Sequence, residues 1–227
     1  MDQSPDILEQ FEADHVPPAV MDFLWANGWR NFGSTFFRYS LQWDELTASH
    51  QLIQPLRIPA TEFALSKNQR RVLKRNRNIR WEIEPATVSP VVQSLFQSHK
   101  SRFSSNVPES IFCFLSESDP ASIPCPCLEF RAFLGERLVA VSFMAVGENS
   151  TSGVYGIFDP TEASRSLGIL TLLKEIEFTR STQRQHYYPG YSTREPSAYD
   201  YKKRLSPAEF FDWTSGTWKP ITLDALV

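Results

Sequence analysis

The sequence predicts an α+β (mixed α/β) fold, in which a central, mostly antiparallel sheet is flanked by helices. The first observation is a hairpin: LEFRAFL (128–134) and RLVAVSFMAVG (137–147) alternate in polarity around a Gly135-Glu136 turn. A third strand is predicted at 151–160, and residues 164–182 form a strongly amphipathic helix. Because an aromatic strand at 186–191 follows this helix, we expect the sheet to continue beyond it.

The N-terminal half contains shorter elements. Pro17-Pro18 open a helix over roughly 18–27 that ends at Gly28, and residues 29–40 are typical of a hairpin with Gly33 in its turn. The other predicted elements are a strand at 51–58 with Pro55 at an edge or bulge, a basic helix after Ser66, a strand at 79–85, helices at 88–103 and 108–116, a short helix near 197–204, and two final strands.

These elements suggest three regions. Residues 1–15 form a loosely attached acidic segment, residues 16–85 an N-terminal region that carries the basic helix, and residues 86–227 the C-terminal domain. A hydrophobic content of 41% with 17 Phe is ample for a packed core. No apolar run reaches the ~20 residues that cross a membrane, and the N-terminus resembles neither a signal nor a transit peptide, so we expect a cytoplasmic protein.

The cysteines predict neither a disulfide framework nor a metal site. They are three in number, Cys113, Cys125 and Cys127, and an odd count argues against systematic pairing. No histidine lies at a typical ligand spacing beside them, so buried or loop thiols are the better interpretation.

The charge distribution is strongly uneven. Residues 66–80, SKNQRRVLKRNRNIR, hold seven Lys or Arg and no acid, whereas the whole chain has a net charge of −3. Such a concentration in an otherwise acidic protein favours a local polyanion site, with phosphate as the obvious anion and RNA as its carrier. The alternative is a solvated helix surface, the usual role of a run of charges.

The basic segment also has a helical pattern. Ser66 and Gln69 match the S-x-x-Q capping box, and Arg70, Lys74 and Arg77 share one face. No Glu relieves the repulsion between like charges at i,i+4, which weighs against a purely solvated role. The candidate nucleic-acid-binding residues are Lys67, Arg70, Arg71, Lys74, Arg75 and Arg77.

The order of elements in the C-terminal domain resembles the acyltransferase fold of the GCN5-related acetyltransferases. That resemblance implies an acyl donor at the N-terminus of the long helix, where free N–H groups and the helix dipole favour anions. The turn reads Arg165-Ser166-Leu167-Gly168. Arg165 and Gly168 fit the acyl-CoA pattern R/Q-x-x-G-x-G/A, but Leu170 replaces its last small residue, which disfavours coenzyme A. An ordinary loop-to-helix junction remains the alternative.

Several further motifs, in the same order, resemble the arginyl-tRNA–protein and leucyl-tRNA–protein transferases. The N-terminal matches are GWRNFGSTFFRYS (28–40), PLRI (55–58) and SKNQRRVLKRN (66–76). The C-terminal matches are Glu129-Phe130-Arg131, LVAVSFMAV (138–146), VYGIFDP (154–160), RSLGILTLLKEIEFTR (165–180) and YYPGYSTREPSAYDYKKRLSP (187–207). The resemblance implies transfer of an amino acid from charged tRNA to the N-terminus of an acceptor protein in the N-degron pathway.

The chain departs from the family in one place. The family carries a cysteine cluster, linked to iron–sulfur binding, in the region that here reads SLQWDELTASHQLIQPL (40–56) without a cysteine. We therefore expect no cofactor other than aminoacyl-tRNA as co-substrate, and no iron–sulfur cluster.

The resemblance implies roles for particular residues. The acyl carbonyl would bind along 152–158, where Gly153 and Gly156 permit close approach of the backbone. The candidate catalytic residues are Tyr155, Asp159 and Glu129, and the candidate acyl-donor-binding residues are Arg165, Ser166, Gly168, Tyr188, Tyr191 and Lys202. Each has a structural alternative: the tyrosines as packing residues, Asp159 as the start of a turn, and Glu129 as the partner of Arg131.

Two other functions compete with aminoacyl transfer. The first is an acyl-CoA-dependent N-acyltransferase, and the second is a non-catalytic protein that binds tRNA as an adaptor. The partners predicted for the transferase are charged tRNA and an acceptor protein or peptide N-terminus, with no membrane involved.

Overall fold

The computed structural model describes residues 5–45, 47–104 and 106–222. Within these residues the strands are β1 (Leu8–Glu12), β2 (Arg30–Phe32), β3 (Thr35–Tyr39), β4 (Leu41–Asp44), β5 (Ser49–Pro59), β6 (Ile79–Pro85), β7 (Cys127–Leu134), β8 (Arg137–Val146), β9 (Ser150–Phe158), β10 (His186–Thr193), β11 (Glu209–Asp212) and β12 (Thr217–Pro220). The helices are α1 (Pro18–Ala26), α2 (Lys67–Arg75), α3 (Pro90–Lys100), α4 (Leu167–Ser181) and α5 (Asp200–Lys203).

One large sheet organises the molecule, with strand order β12-β11-β5-β10-β9-β8-β7-β6 and β4 paired to β5. Its pairings are antiparallel except between β9 and β10, which are parallel. A smaller antiparallel sheet has the order β1-β3-β2. The predicted fold class is thus confirmed. Strands β5 and β6 belong to the large sheet, so this sheet contains strands from both of the predicted regions 16–85 and 86–227.

Helices cover both faces of the large sheet. On one face α4 packs Leu173 and Ile176 against Phe130 and Met144. On the other face α3 belongs to a second apolar cluster, composed of Ala86, Val88, Val92, Leu95, Phe96, Ile111, Leu115, Cys127, Val141, Phe143 and Ile157. This alternation of inward-facing side chains along β7–β9 follows the period of two that the sequence displays.

Two predictions of local structure need correction. The acidic segment was expected to be loosely attached, yet β1 pairs with β3 from Leu8 to Glu12. The expected helix at 108–116 is only a 3₁₀ turn, Ile111–Cys113.

Pro55 was predicted at an edge or a bulge. Its strand β5 is interior, and a register irregularity lies next to Pro55 in the pairing with β10, between Tyr187 and Gly190. The three glycines predicted to end an element or turn the chain, Gly28, Gly33 and Gly135, have positive φ.

Candidate active site

The sheet opens between its two parallel strands. Pairing of β9 with β10 is limited to Ser150–Ser152 and His186–Tyr188, and the strands separate beyond those residues. We call the opening beyond Ser152 and Tyr188 the β9–β10 gap. It leaves one edge of β9 without a strand partner over Gly153–Phe158, where Arg30 occupies the Gly153 carbonyl and His99 the Phe158 N–H.

Main-chain groups of β9 point into the gap. The Phe158 N–H donates to Nδ1 of His99 at 3.0 Å, while the next N–H, of Asp159, donates to Val139 of β8 at 2.8 Å. Because these directions alternate along an antiparallel ladder, the N–H of Gly156 points into the gap. Gly156 is also exposed. A ligand carbonyl at this edge can therefore receive a main-chain hydrogen bond.

Arg30 closes the narrow end of the gap. The guanidinium of this β2 residue donates to the Ser152 hydroxyl and to the Gly153 carbonyl of β9, and to the Tyr188 carbonyl of β10 at 3.3 Å. Arg30 is buried, and burial lowers its pKa from the usual value. A guanidinium is planar and carries several N–H donors, so it can donate to carbonyls of both β9 and β10 where the two strands separate.

A buried carboxylate lies directly beneath β9. Glu175 of α4 accepts a hydrogen bond from the Tyr187 hydroxyl, and both side chains are buried. Burial raises the pKa of Glu175 to about 7, against the opposing effects of the Tyr187 hydrogen bond and the Arg30 charge. Burial also raises the pKa of Tyr187 well above its ordinary value, so this phenol keeps its proton.

The Glu175–Tyr187 pair explains a glycine in β9. A Cβ on Gly153 would lie 2.6 Å from the Tyr187 hydroxyl and 2.9 Å from Oε2 of Glu175, closer than real Cβ atoms approach such groups. A Cβ on Gly156 would instead meet only ordinary contacts, at 3.8 Å from Thr171 and Ser142. Gly153 is therefore required by space, whereas Gly156 is not required by the fold.

We expect Gly153→Ala to destabilise the protein by about 1–3 kcal/mol, because overpacking forces the Glu175–Tyr187 pair apart. Gly156→Ala is the matched control in the same strand, and it should change the free energy of unfolding much less. Chemical denaturation of the three proteins measures both effects. Equal destabilisation by the two substitutions would contradict the importance of the close approach at Gly153.

The basic helix begins as its sequence predicts. Ser66 accepts from the Gln69 N–H at 3.2 Å, and the Gln69 side chain accepts from the Ser66 N–H at 2.8 Å, which completes the capping box. The Gln69 amide also donates to the Arg204 carbonyl at 3.2 Å, and it is buried. Gln69 thus fixes α2 to the segment that follows α5.

The C-terminal end of α2 is attached to the turn before α4. Asn76 donates to the Arg165 carbonyl at 2.9 Å, Arg75 donates to the Ser164 carbonyl, and the Arg165 guanidinium lies 3.3 Å from Oδ1 of Asn78. Arg165 also pairs with Glu162 at 2.8 Å. The structure therefore brings together two predicted binding elements that are 89 residues apart in sequence.

The α4 turn has the expected free helix N-terminus. Ser166 adopts the left-handed conformation, with φ of 56°, and its carbonyl accepts from Ile169 and Leu170 at 3.1 Å. The amide of Gly168 precedes the first helical hydrogen bond and Gly168 is half-buried, so this N–H is a donor for an anion, whereas Leu167 beside it is fully buried. The side chain of Leu170 is buried against the sheet and does not cover this amide.

The basic face of α2 is open. Five of the six candidate residues lie on α2, and the sixth, Arg77, follows its C-cap Asn76. All six are exposed, and none of them forms an ion pair with any other residue that the structure describes; they are Lys67, Arg70, Arg71, Lys74, Arg75 and Arg77. Charges without internal partners are available to phosphates. The assignment of these residues to RNA stays a prediction.

The three predicted catalytic residues lie apart from one another. Tyr155 stacks on Phe114 with ring centroids 3.8 Å apart, and burial raises its pKa to about 12. Glu129 is fully buried two strands away, where it pairs with Arg131 and accepts from the Thr87 hydroxyl at 3.0 Å. The structural partner expected for Glu129 is thus present, and the catalytic role of both residues stays a prediction.

Asp159 begins the 3₁₀ turn Pro160–Arg165, as its alternative interpretation expects. Its carboxylate accepts from the Thr161 N–H at 2.9 Å and pairs with Arg137. Although desolvation acts in the opposite direction, the hydrogen bonds from Thr161 and the charge of Arg137 lower the pKa of Asp159. It holds the turn that presents Arg165, and its participation in proton transfer stays a prediction.

The predicted donor-binding residues of β10 and α5 have different surroundings. Tyr188 packs in a core with Trp25 and Trp218, at centroid distances of 6.0 and 5.7 Å. The Tyr191 hydroxyl donates to the Gly28 carbonyl at 2.7 Å. Lys202 is half-buried beside the gap and donates to the Tyr191 carbonyl at 3.1 Å. Their role in donor binding stays a prediction.

The stretch that aligns with the family's cysteine cluster forms the β4–β5 hairpin. Its pairing runs from Leu41↔Leu52 to Asp44↔Ser49, and it supplies no thiolate, so its residues do not fit an iron–sulfur cluster. Burial raises the pKa of Cys125 to about 12 and raises that of Cys127 as well. Within the described residues no group of three His, Cys, Asp or Glu is arranged to hold a metal ion. The expectation of no resident cofactor stays a prediction.

Comparison with known protein families identifies the class of protein to which this chain belongs. The family model described as "Arginine-tRNA-protein transferase, C terminus" matches residues 91–212, which include β7–β10, α4 and the β9–β10 gap. The match covers more than half of the chain, and its class is that of the aminoacyl-tRNA–protein transferases. The chain belongs to the arginyl- and leucyl-tRNA–protein transferase family, as its motifs predicted.

Individual relatives support the same assignment. The aspartate/glutamate leucyltransferase of Gluconacetobacter diazotrophicus is 31% identical over 175 residues, covering 76% of this chain and 66% of that protein. The enzyme of the same name from Vibrio cholerae is 31% identical over 84% of this chain and 79% of its own, and that from Helicobacter hepaticus is 26% identical over 92% and 86%. The chain thus spans slightly less than two thirds of the first of these relatives.

Solved structures with a similar fold are remote in sequence. FemX is 10% identical, with a TM-score of 0.49 over 84% of this chain and 65% of its own. L-PGS from Bacillus licheniformis is 11% identical, with a TM-score of 0.45 over 80% and 52%. The family assignment depends on the sequence matches alone. Among the helices that the structure describes, none has the length and apolar character needed to cross a membrane.

Sequence reasoning missed two residues at the centre of the site, Arg30 and Glu175. Arg30 lies inside a recognised motif but in an unremarkable hairpin. Tyr187 was considered for stacking on terminal bases and for proton donation, but not as the partner of Glu175. Glu175 had a detectable signal, because it shares an i,i+4 stripe with Leu167 and Thr171 on the buried face of α4. A carboxylate on an otherwise buried helix face indicates a specific partner.

Proposed function

We propose that this protein transfers leucine from leucyl-tRNA to the N-terminal amine of acceptor proteins that begin with aspartate or glutamate. Its relatives are named for leucyl transfer to aspartate and glutamate, and the matching family model is named for transfer from tRNA to protein. The observation that carries the proposal is the junction of α2 with the α4 turn through Asn76 and Arg165, because Gly168 in this turn also lies against Phe158 of β9. We expect the reaction to take place in the cytoplasm, where charged tRNA is available.

This arrangement supports a path for the donor. Phosphates of the acceptor stem lie along α2, and the 3′ end passes the amide of Gly168. The ester carbonyl then accepts from the Gly156 N–H within the β9–β10 gap. The α4 turn lies close to this strand, because the Phe158 ring is 3.4 Å from the position of a Cβ on Gly168, and Gly156 is two residues, or about 7 Å of strand, from Phe158.

The chemistry requires positioning more than activation. The acceptor nitrogen attacks the ester carbon, a C–N bond forms, and the bond from carbon to the ribose oxygen breaks. The acceptor ammonium releases one proton before attack, and a second proton passes to the departing ribose oxygen. The Gly156 N–H stabilises the oxyanion of the tetrahedral intermediate, and the gap holds the reactants in attack geometry.

Transfer of labelled leucine tests the proposal. Purified protein is incubated with charged leucyl-tRNA and peptides that begin with Asp, Glu or Ala, and we expect product with the acidic peptides. Arginyl-tRNA in place of leucyl-tRNA tests the choice of donor. Failure of every charged tRNA with every acceptor would contradict an aminoacyltransferase activity for this chain.

The same assays distinguish the transferase from the two alternative functions, an acyl-CoA-dependent enzyme and a tRNA-binding adaptor. Acetyl transfer from acetyl-CoA to the same peptides would support an acyl-CoA-dependent enzyme, which the free amide at the α4 turn leaves chemically feasible. Equal affinity for charged and uncharged tRNA, without any transfer, would instead support an adaptor.

A further inference from the structure

Two cations meet beside Gly190 of β10. Arg30 approaches from β2 and Lys202 from α5, and each lies 3.4 Å from the position where any other residue at 190 would carry its Cβ. Gly190 itself has a φ of +100° and lies just after the register irregularity of β10. The position that a side chain at 190 would occupy is thus bordered by two positive side chains.

Neither cation forms a direct ion pair among the residues that the structure describes, although the charge of Arg30 interacts with the buried carboxyl of Glu175. The hydrogen bonds of Arg30 go to the Ser152 hydroxyl and to two carbonyls, and that of Lys202 goes to the Tyr191 carbonyl. Neither occurs in an ion pair. The nearby carboxyl of Glu175 is occupied by Tyr187.

This arrangement is costly unless an anion joins it. Burial, together with the neighbouring charge of Arg30, lowers the pKa of Lys202 to about 7. Two like charges withdrawn from water repel each other, and each pays a desolvation penalty. An anion placed between them would accept charge-assisted hydrogen bonds from both, at the short distances typical of a carboxylate.

The position favours a small anion carried by the acceptor. In the parallel register Tyr188 faces Ser152, so Gly190 lies across the gap from the first residues of the open β9 edge. The exposed basic residues suited to a polynucleotide lie instead on α2, beyond the other end of that edge. A carboxylate on one or two methylenes fits beside a glycine more readily than a bulky phosphodiester.

We propose that Arg30 and Lys202 bind the side-chain carboxylate of the acceptor's first residue. The proposal rests on the transferase function proposed above and deepens it by naming the residues that select an acidic acceptor. Anchoring the carboxylate beside Gly190 directs the α-amine, only a few bonds away, across the gap toward the ester at the β9 edge. The contact between the two cations and the carboxylate thus selects an acidic acceptor and also orients its amine for attack.

The test compares charged and neutral acceptors of equal shape. We measure kcat/KM for leucine transfer to peptides that differ only in a first residue of Asp or Asn, and then of Glu or Gln. Wild-type protein should prefer the acid by about tenfold or more, since one charged pair is worth that factor. In the Lys202→Met and Lys202→Gln variants, the ratio of kcat/KM for the acidic peptide to that for the neutral peptide should fall by about tenfold. The fall should come mainly from a higher KM for the acidic peptide. The affinity for tRNA should not change.

Controls separate the possible failures. Lys174→Met removes another half-buried lysine, which pairs with Glu177 on α4, and it should leave the preference intact. Circular dichroism establishes that each variant is folded. An unchanged Asp-to-Asn ratio in both Lys202 variants overturns the proposal, and weakened tRNA binding with an unchanged ratio assigns Lys202 to a phosphate.

The proposal remains testable if the wild-type protein transfers nothing. Equilibrium binding of fluorescent peptides beginning with Asp or Asn then replaces the kinetic ratio. Preferential binding of the Asp peptide that is lost in Lys202→Met supports the acceptor site even though the transferase proposal has failed. Equal binding of the two peptides by wild-type protein overturns the site itself.

Discussion

Replacing Arg70, Lys74 and Arg77 with glutamine should weaken tRNA binding by about 100-fold at 0.1 M salt. Arg70 and Lys74 lie on α2, Arg77 follows its C-cap Asn76, and all three side chains are exposed and have no acidic partners among the described residues. Each phosphate contact contributes about 0.7–0.9 to the slope of log K against log salt, so the slope should flatten by about two to three units. Titration of labelled tRNA at several salt concentrations measures both quantities.

The control is a basic residue at the opposite end of the neighbouring helix. Arg180 is exposed in the last turn of α4, whereas α2 contacts the turn that precedes α4. Arg180→Gln should leave the slope close to that of the wild-type protein. If the triple variant binds tRNA with wild-type affinity and slope, α2 is a solvated surface and tRNA is bound elsewhere.

Glu175→Gln should change how stability depends on pH. Below the ordinary carboxyl pKa of 4.5, Glu175 is protonated in both the folded and the unfolded protein. Between 4.5 and about 7 the unfolded carboxyl is ionised while the folded one retains its proton, so this group lowers the free energy of unfolding as pH rises. Above about 7 both are ionised and the loss is constant, at about 3 kcal/mol.

Glutamine keeps the shape and an oxygen that can accept from Tyr187, but it does not titrate. Relative to the wild-type protein, Glu175→Gln should therefore gain about 3 kcal/mol between pH 4.5 and pH 8, as measured by urea denaturation across that range. Glu177→Gln removes an exposed carboxylate from the same helix and should retain the wild-type dependence. Parallel pH profiles for Glu175→Gln and wild-type protein would show that Glu175 is not held neutral.

The local patterns of this chain predicted much of the fold. The capping box at Ser66, the hairpin around Gly135 and the strand at 79–85 depend on neighbouring residues, and the structure contains all three. The helix expected at 108–116 failed because packing of Ile111 and Leu115 against α3 requires only a single turn. Strand β1 was missed because its five residues are exposed and obtain their order from pairing with β3.

The candidate site was harder to predict, because its centre depends on contacts between distant residues. The basic helix and the α4 turn were recognised separately, but their junction through Asn76 and Arg165 has no signature in either segment. The same holds for Arg30, whose partners at 152, 153 and 188 lie on two other strands. A sequence pattern reflects only neighbouring residues. It therefore cannot predict that the Arg30 side chain will hydrogen-bond to two strands that are distant in the sequence.

The placement of β5 has a consequence for biosynthesis. This early strand lies between β10 and β11, so the middle of the large sheet is completed by residues 186–193 and 209–212. While the ribosome is still producing those residues, β5 has neither of these partners and its polar backbone edges are exposed. Pairings between such distant segments also slow folding. Nascent chains of this protein should therefore depend on chaperone protection until translation is nearly complete.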